Sequence, residues 1–236
     1  MPRKLRMYLA GVPCHVVQRG NNRCATFFDG TDYRHYLSCL LEASKRYRVS
    51  VHAYVLMTNH VHLLMTPSDA IGVSRLMQSL GRRYVQYINY QFRRSGTLWE
   101  GRHKASLVQA ERYLLTCYRY IEFNPVRAAM VYHPGEYRWS SYRWHAYGEP
   151  DPVVCDHHIY NALGMDVSSR QQCYRDLFAA ALDPLEVHAI RQASSFSMPL
   201  GNERFREEVE EALGRRTDYA ARGQPRSDEP ATRYPD

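Results

Sequence analysis

The sequence predicts an α+β protein: a ferredoxin-like antiparallel sheet with helices on one face, plus a small C-terminal α-helical region. Three observations predict it. Apolar residues recur alternately at strand and at helix spacing in the order β-α-β-β-α-β-α over the first 148 residues. The two middle strands form a hairpin, as the split βαβ arrangement requires. After Gly148 the strand pattern is lost, and three helical stretches remain.

Residues 13–19, with Cys14-His15-Val16-Val17-Gln18, read as a strand running into the turn cluster Gly20-Asn21-Asn22. Asp29-Gly30-Thr31 opens a helix to about residue 47, with Tyr36, Leu37, Leu40, Leu41 and Ala43 as its apolar stripe. Residues 49–57 alternate and are rich in Val and Tyr. Thr58-Asn59 suits a tight turn, and residues 60–65 make the second hairpin strand, ended by Pro67. Residues 71–94 fit a long helix, with Arg93 and Arg94 favourable at its C-terminal end and Gly96 beyond it. Residues 106–109 suggest a fourth strand. Residues 111–123 are helical, and Pro125 stops that helix by pushing Asn124 away from the helical region. The link Glu149-Pro150-Asp151-Pro152 precedes helices at about 168–182, 184–194 and 202–214. From residue 217 the chain is polar, with prolines at 225, 230 and 235, and is expected to be disordered.

Composition excludes two classes. Aromatic residues make up 12% of the 236, too many for disorder throughout, and no apolar run approaches the roughly 20 residues of a membrane span. The basic start, Met-Pro-Arg-Lys-Leu-Arg, is followed by an apolar stretch soon broken by Gly11 and Pro13, so no export signal is expected. The six cysteines form no C-x-x-C pair, and reduced thiols in a cytoplasmic protein are expected.

Charge divides the chain. Residues 1–148 carry 21 Lys and Arg against 8 Asp and Glu, a net +13; residues 149–236 carry 10 against 16, a net −6. Fifteen of the 19 tyrosines lie in the first part. Cations interleaved with aromatics suit a single-stranded nucleic acid, which needs both phosphate neutralisation and stacking platforms. A basic protein with tyrosines in its core fits the same figures.

The sharpest feature is Thr58-Asn59-His60-Val61-His62-Leu63-Leu64. Residues two apart on a strand share a face, so His60 and His62 can hold one metal ion while Val61 and Leu63 face the core. Two unliganded histidines on an exposed face fit the pair equally. Further on, Tyr120 and Asn124 are four apart, hence neighbours on a helical face. Asn124 offers an amide oxygen suited to a hard cation, and Tyr120 a phenol able to act as nucleophile. Tyr118 lies six residues from Asn124 and faces elsewhere; packing suits it better. Arg82, Arg83, Arg93, Arg94, Arg102 and Lys104 are candidates for a phosphate track or, singly, solvated surface charges.

Residues 53–64, Ala-Tyr-Val-Leu-Met-Thr-Asn-His-Val-His-Leu-Leu, followed by residues 120–128, Tyr-Ile-Glu-Phe-Asn-Pro-Val-Arg-Ala, resemble the REP-associated tyrosine transposases, part of the wider HUH single-strand DNA transposases. Gln18-Arg19-Gly20-Asn21-Asn22-Arg23 and Trp139-Ser140-Ser141-Tyr142 resemble them too, so the likeness covers about residues 8–148. It implies Tyr120 as catalytic nucleophile. It also implies a divalent metal, Mg²⁺ or Mn²⁺, on His60, His62 and Asn124. The partner it implies is single-stranded or hairpin DNA of the REP-like palindrome kind, cleaved through a 5′-phosphotyrosine and rejoined without ATP. Because an ordinary phenol keeps its proton to about pH 10, the metal or a base must assist; Glu122 points off the Tyr120 face, and no base is assigned. On this reading residues 1–148 form the catalytic domain, 149–216 an α-helical accessory region and 217–236 a tail. The protein would act in the cytoplasm, nucleoid-associated when bound to DNA, away from membranes, as monomer or homodimer. A nicking enzyme of replication or conjugation shares this chemistry. A non-catalytic single-stranded nucleic-acid-binding protein on a ferredoxin-like sheet would need neither the paired histidines nor Tyr120 near Asn124.

Overall fold

The computed structural model describes residues 6–217. The expected tail lies outside the described residues except for Thr217, which donates from its backbone N–H to Glu210. The elements run β1 (Cys14–Arg19), α1 (Gly30–Tyr47), β2 (Val49–Met57), β3 (His60–Pro67), α2 (Gly72–Gln91), β4 (Lys104–Leu107), α3 (Ala110–Glu122) and α4 (Asn124–Arg127). They continue with α5 (Tyr142–Tyr147), α6 (His158–Asn161), α7 (Val167–Asp176), α8 (Pro184–Phe196) and α9 (Glu203–Leu213). The strands form one sheet in the order β2-β3-β1-β4, antiparallel throughout, which is the ferredoxin-like order.

Local chemistry explains the element ends. The Asp29 carboxylate accepts from the Thr31 and Asp32 N–H groups (2.6 and 3.2 Å), while Asp32 accepts from the Asp29 N–H (3.3 Å), a reciprocal cap that starts α1. Thr58-Asn59 turns the hairpin and pairs Met57 with His60. Gly20 ends β1 where a Cβ would stand 2.3 Å from the Cys24 carbonyl, so no side chain fits there. The register then sets Arg19 opposite His60 and Val17 opposite His62.

The expectation of helices on one face describes α1 and α2, which pack together over Val16, Leu56, Val61 and Leu63. The other face is covered as well. Ala53, Val55, Met57 and Leu64 pack there against Leu114, Tyr118 and Ile121 of α3, with Tyr142, Tyr160, Tyr174 and Ile190 beyond them. The reason lies in β2: it alternates as expected only to His52, then runs apolar from Ala53 to Met57 and is buried throughout that stretch, and a strand without polar alternation has both faces covered. Residues after Gly148 enter both cores, Val153 and Val209 on the first face and Ile190 and Leu200 on the second.

Four boundaries differ most from expectation; α7 ends at Asp176 instead of near residue 182. The fourth strand begins at Lys104 because pairing with β1 extends past its apolar part. The long helix stops at Gln91, so Arg93 and Arg94 lie beyond it. Pro125 ends α3 but does not drive Asn124 out of helix: it stands in the first turn of α4, where a missing N–H leaves no bond unmade. Both sheet edges are paired. Leu56 donates to the Trp139 carbonyl (2.9 Å) and Cys155 to that of Val51 (2.7 Å) at β2, and Leu200 donates to that of Leu107 (2.7 Å) at β4. Among the described residues no helix is long and apolar enough to cross a membrane, and all six cysteines are free thiols.

Candidate active site

His60 and His62 project from β3 on the face away from α1 and α2, as their spacing dictates, with ring centroids 5.2 Å apart. They line a cavity of about 570 Å³ together with Tyr120, Asn124, Arg102 and Lys104. Burial, reinforced by Arg19, pushes the His60 imidazole down to about 4. Burial, with His15, His60 and Arg127 nearby, holds that of His62 well below its ordinary range. Both rings are therefore neutral at pH 7 and keep a lone pair.

A hydrogen bond decides where that of His60 lies. Asn59 donates from Nδ2 to the Arg23 carbonyl (2.8 Å), which fixes its amide and leaves Oδ1 to accept from His60 Nδ1 (2.6 Å). His60 Nε2 is then the free ligand atom. His62 Nδ1 pairs with Nε2 of His15 at 2.8 Å, and His15 Nδ1 pairs with Ser194 Oγ at 3.0 Å. The His62–His15–Ser194 chain can carry its protons in either direction; in the direction from His62 to Ser194, Nε2 of His62 is free as well.

Tyr120 reaches the same place from α3. It is only 6% exposed, and its ring centroid stands 5.9 Å from those of His62 and His15. Asn124 donates from Nδ2 to the carbonyls of Tyr120 and Ile121 (3.0 and 3.2 Å), which leaves Oδ1 to accept from Arg127 Nη2 (3.1 Å). The Arg127 guanidinium lies 4.3 Å above the Tyr120 ring. Tyr118 points away and is buried against His145, Tyr160 and Tyr174. Glu122 also turns from the cavity. Its carboxylate accepts from Ser141 and Tyr174 (both 2.5 Å) and pairs with His145 Nδ1 (2.7 Å). That network fastens α3 to α5 and α7 and leaves Glu122 no access to the Tyr120 hydroxyl.

The other four cationic candidates stand elsewhere. Arg83 pairs with Glu42 at 2.6 Å on the surface. Arg82 lines a different cavity, and Arg93 and Arg94 are exposed past α2, Arg94 above the Phe28 ring. Sequence reasoning missed His15, Arg19, Arg127, Arg191 and Ser194. Arg127 carried a usable signal, three residues after Asn124 and seven after Tyr120, hence on their face. His15 shares a face with Val17 but meets His62 only through strand pairing, and α8 reaches the cavity from far along the chain. Among the described residues no group of three or more His, Cys, Asp or Glu is placed to hold a metal ion. The available donors are the His60 and His62 imidazoles and the Asn124 amide oxygen.

A family model, transposase IS200 like, matches residues 9–124. These residues belong to the IS200-like transposase family. The match contains His60, His62 and Tyr120 and ends on Asn124, so the IS200-like portion carries all four residues brought to the cavity from β3, α3 and the start of α4. Among solved structures the fold is similar to a REP-associated tyrosine transposase bound to a REP hairpin, with a TM-score of 0.55 and 17% identity over 66% of this chain and 93% of that one. A candidate transposase from Deinococcus radiodurans R1 overlaps less closely, with a TM-score of 0.35 and 21% identity over 50% of this chain and 95% of that one. No curated protein matches the chain significantly. Arg127 and the α8 residues Arg191 and Ser194 lie outside the IS200-like match and complete the cavity wall.

Proposed function

We propose that this IS200-like transposase is a metal-dependent single-stranded DNA endonuclease and strand transferase, acting on palindromic hairpin DNA through a 5′-phosphotyrosine intermediate. One observation carries the reading: a phenol, two neutral imidazoles and an amide oxygen meet in one cavity flanked by Arg19, Arg102, Lys104 and Arg127. The donors fit a divalent ion such as Mg²⁺ or Mn²⁺, held by His60, His62 and Asn124. When bound, such an ion withdraws charge from the scissile phosphate and orients it.

The protein's own groups do the rest. Tyr120 attacks phosphorus through its phenolic oxygen. A bond forms from that oxygen to phosphorus and the bond to the 3′ oxygen breaks; the phenol proton passes to water, and the leaving 3′ oxygen takes one proton from water to become a hydroxyl. Because one ester replaces another, the reverse attack by a new 3′ hydroxyl restores the phosphodiester. Arg127, across the Tyr120 ring, and Lys104 and Arg102 at the rim balance the phosphate charge. His15 holds His62 in its ligating tautomer. On this reading residues 1–148 are the catalytic unit, and 149–216 an accessory region whose α8 walls the cavity. The hairpin partner is supported by the REP hairpin bound in the structural neighbour. The enzyme works in the cytoplasm, as monomer or homodimer.

The test is incubation with a labelled single-stranded hairpin oligonucleotide and Mn²⁺ or Mg²⁺, followed by denaturing electrophoresis. A covalent protein–DNA band that vanishes with EDTA is expected. Cleavage with no band, or an undiminished band in EDTA, overturns the reading.

A further inference from the structure

Asn124 can offer one atom to an ion, and that atom already has a partner. Its Nδ2 donates to the carbonyls of Tyr120 and Ile121 (3.0 and 3.2 Å), groups that only accept, so the amide cannot flip and Oδ1 alone is left for the cavity. Oδ1 accepts from Arg127 Nη2 at 3.1 Å, and the same guanidinium lies 4.3 Å from the centre of the Tyr120 ring. A divalent ion sits about 2 Å from an oxygen ligand, so an ion on Oδ1 would stand no more than roughly 5 Å from that Nη2. Asn124 is 7% exposed, and little water separates the two like charges there. The amide oxygen therefore serves the guanidinium or the ion, not both at once.

Arg127 is placed to give way. It is an exposed residue at the end of α4, and among the described residues it makes no ion pair with a carboxylate. What it holds, an amide oxygen and the face of a ring, is neutral. A phosphate takes a guanidinium fork through two charge-assisted hydrogen bonds and outcompetes both. The same cavity lies open to Arg127, Tyr120 and the ion's ligands together.

We propose that Arg127 is an exchangeable placeholder in the metal site: it holds the Asn124 oxygen until a divalent ion takes that oxygen, and its fork then moves to the phosphate under attack by Tyr120. The proposal rests on the reading above that His60, His62 and Asn124 hold the ion. Metal and DNA are then linked through one side chain, and each tightens the other by the same factor. Residues that support a metal site weaken it when they are removed. A placeholder does the opposite, so the sign of the effect is the test.

The full chain is titrated with Mn²⁺ alone and followed by electron paramagnetic resonance. Arg127→Met keeps an apolar stem and removes the charge. It should bind Mn²⁺ about tenfold more tightly than the wild type, a factor within the usual range of coupling between sites. Arg127→Lys keeps a cation and should stay within about threefold of the wild type. In Asn124→Ala, where the contested oxygen is gone, Arg127→Met should gain about threefold or less. Equal affinity in the wild type and Arg127→Met, an equal gain in Arg127→Lys, or an undiminished gain in Asn124→Ala overturns the proposal and leaves metal binding standing. Mn²⁺ bound by neither the wild type nor Arg127→Met, or bound as tightly after His60→Ala and His62→Ala together, sinks the metal reading and the placeholder with it. Repeated on Tyr120→Phe, which keeps the ring and forms no adduct, the hairpin oligonucleotide should tighten Mn²⁺ more with Arg127 present than in Arg127→Met; an equal gain overturns the exchange onto phosphate. A further measurement uses the wild type with ¹⁵N-labelled arginine. The Arg127 Nε–H resonance, shifted by the Tyr120 ring beside it, should move toward that of an unstacked arginine as Mg²⁺ saturates the site. A resonance that stays in place at saturation overturns the proposal.

Discussion

His15 lies outside every motif the sequence displays, yet its Nε2 pairs with Nδ1 of His62 from a buried position 2.8 Å away. Replacing a group that orients a metal-ligating imidazole costs ~10–100-fold in metal affinity. His15→Phe should weaken Mn²⁺ binding by about that factor in an electron paramagnetic resonance titration, and His15→Gln should recover part of it. Unchanged affinity in His15→Phe would remove the relay from the account. A second histidine gives a pH prediction. His52 bonds the Cys155 carbonyl (2.7 Å) and Thr66 Oγ1 (2.8 Å), and burial pushes it down to about 4. The unfolded chain binds that proton at its ordinary value near 6.5, so the stabilisation is complete above about pH 6.5 and is lost as pH falls toward 4. Between pH 7 and pH 5 the loss is about 2 kcal/mol for this group. Urea melts at the two values should differ by at least that much, and His52→Gln should flatten the slope. At this scale the sequence shows the periodic pairs plainly. His60 and His62 follow from strand alternation, and Tyr120 and Asn124 from a helical turn. His15 and Ser194 meet only through tertiary packing, which no local spacing encodes.

Among the elements, α3 is the one that aims the nucleophile, and Glu122 holds it. Its carboxylate is fully buried and engaged by Ser141, His145 and Tyr174. Truncating one member of a buried charged network typically costs about 3–5 kcal/mol. Glu122→Ala should therefore lower stability by that order in urea denaturation; a loss under about 1 kcal/mol would mean that the network does not anchor the helix. The hairpin and the two long helices were legible because each sustains its period between clear caps, such as Asp29 with Asp32 on α1. The short helices α4, α5 and α6 were not. Four to six residues span barely one turn, too short for a period to show, and Pro125 reads as a stop where the chain uses it as a start.

Across the whole molecule, the charge division visible in the sequence becomes a local field. Arg19, Arg102, Lys104, Arg127 and Arg191 surround the Tyr120 cavity, with Glu100 as the one carboxylate among its lining residues. If five phosphates meet those cations, affinity for a single strand should fall about 100-fold between 50 and 200 mM salt, from a slope of roughly 0.7 per contact. Fluorescence anisotropy across that range checks it, and a change below fivefold contradicts it. The fold class was legible because β-α-β-β-α-β order with a central hairpin leaves few sheets to choose from. The covering of the second face was less so, although the unbroken apolar run of β2 announces it. The partner that covers it, α3 with the helices after Gly148, is settled by three-dimensional packing of segments that lie far from β2 along the chain.

The central claim is that Tyr120 is the nucleophile. Mass spectrometry of the protein–DNA adduct, digested with protease and nuclease, tests it most directly. The account predicts a nucleotide on the peptide at Tyr120, no adduct from Tyr120→Phe although that variant still binds hairpin DNA, and an undiminished adduct from Tyr118→Phe. An adduct mapped to Tyr118, or to Tyr113 two turns before Tyr120 on α3, or one that persists in Tyr120→Phe, would contradict it.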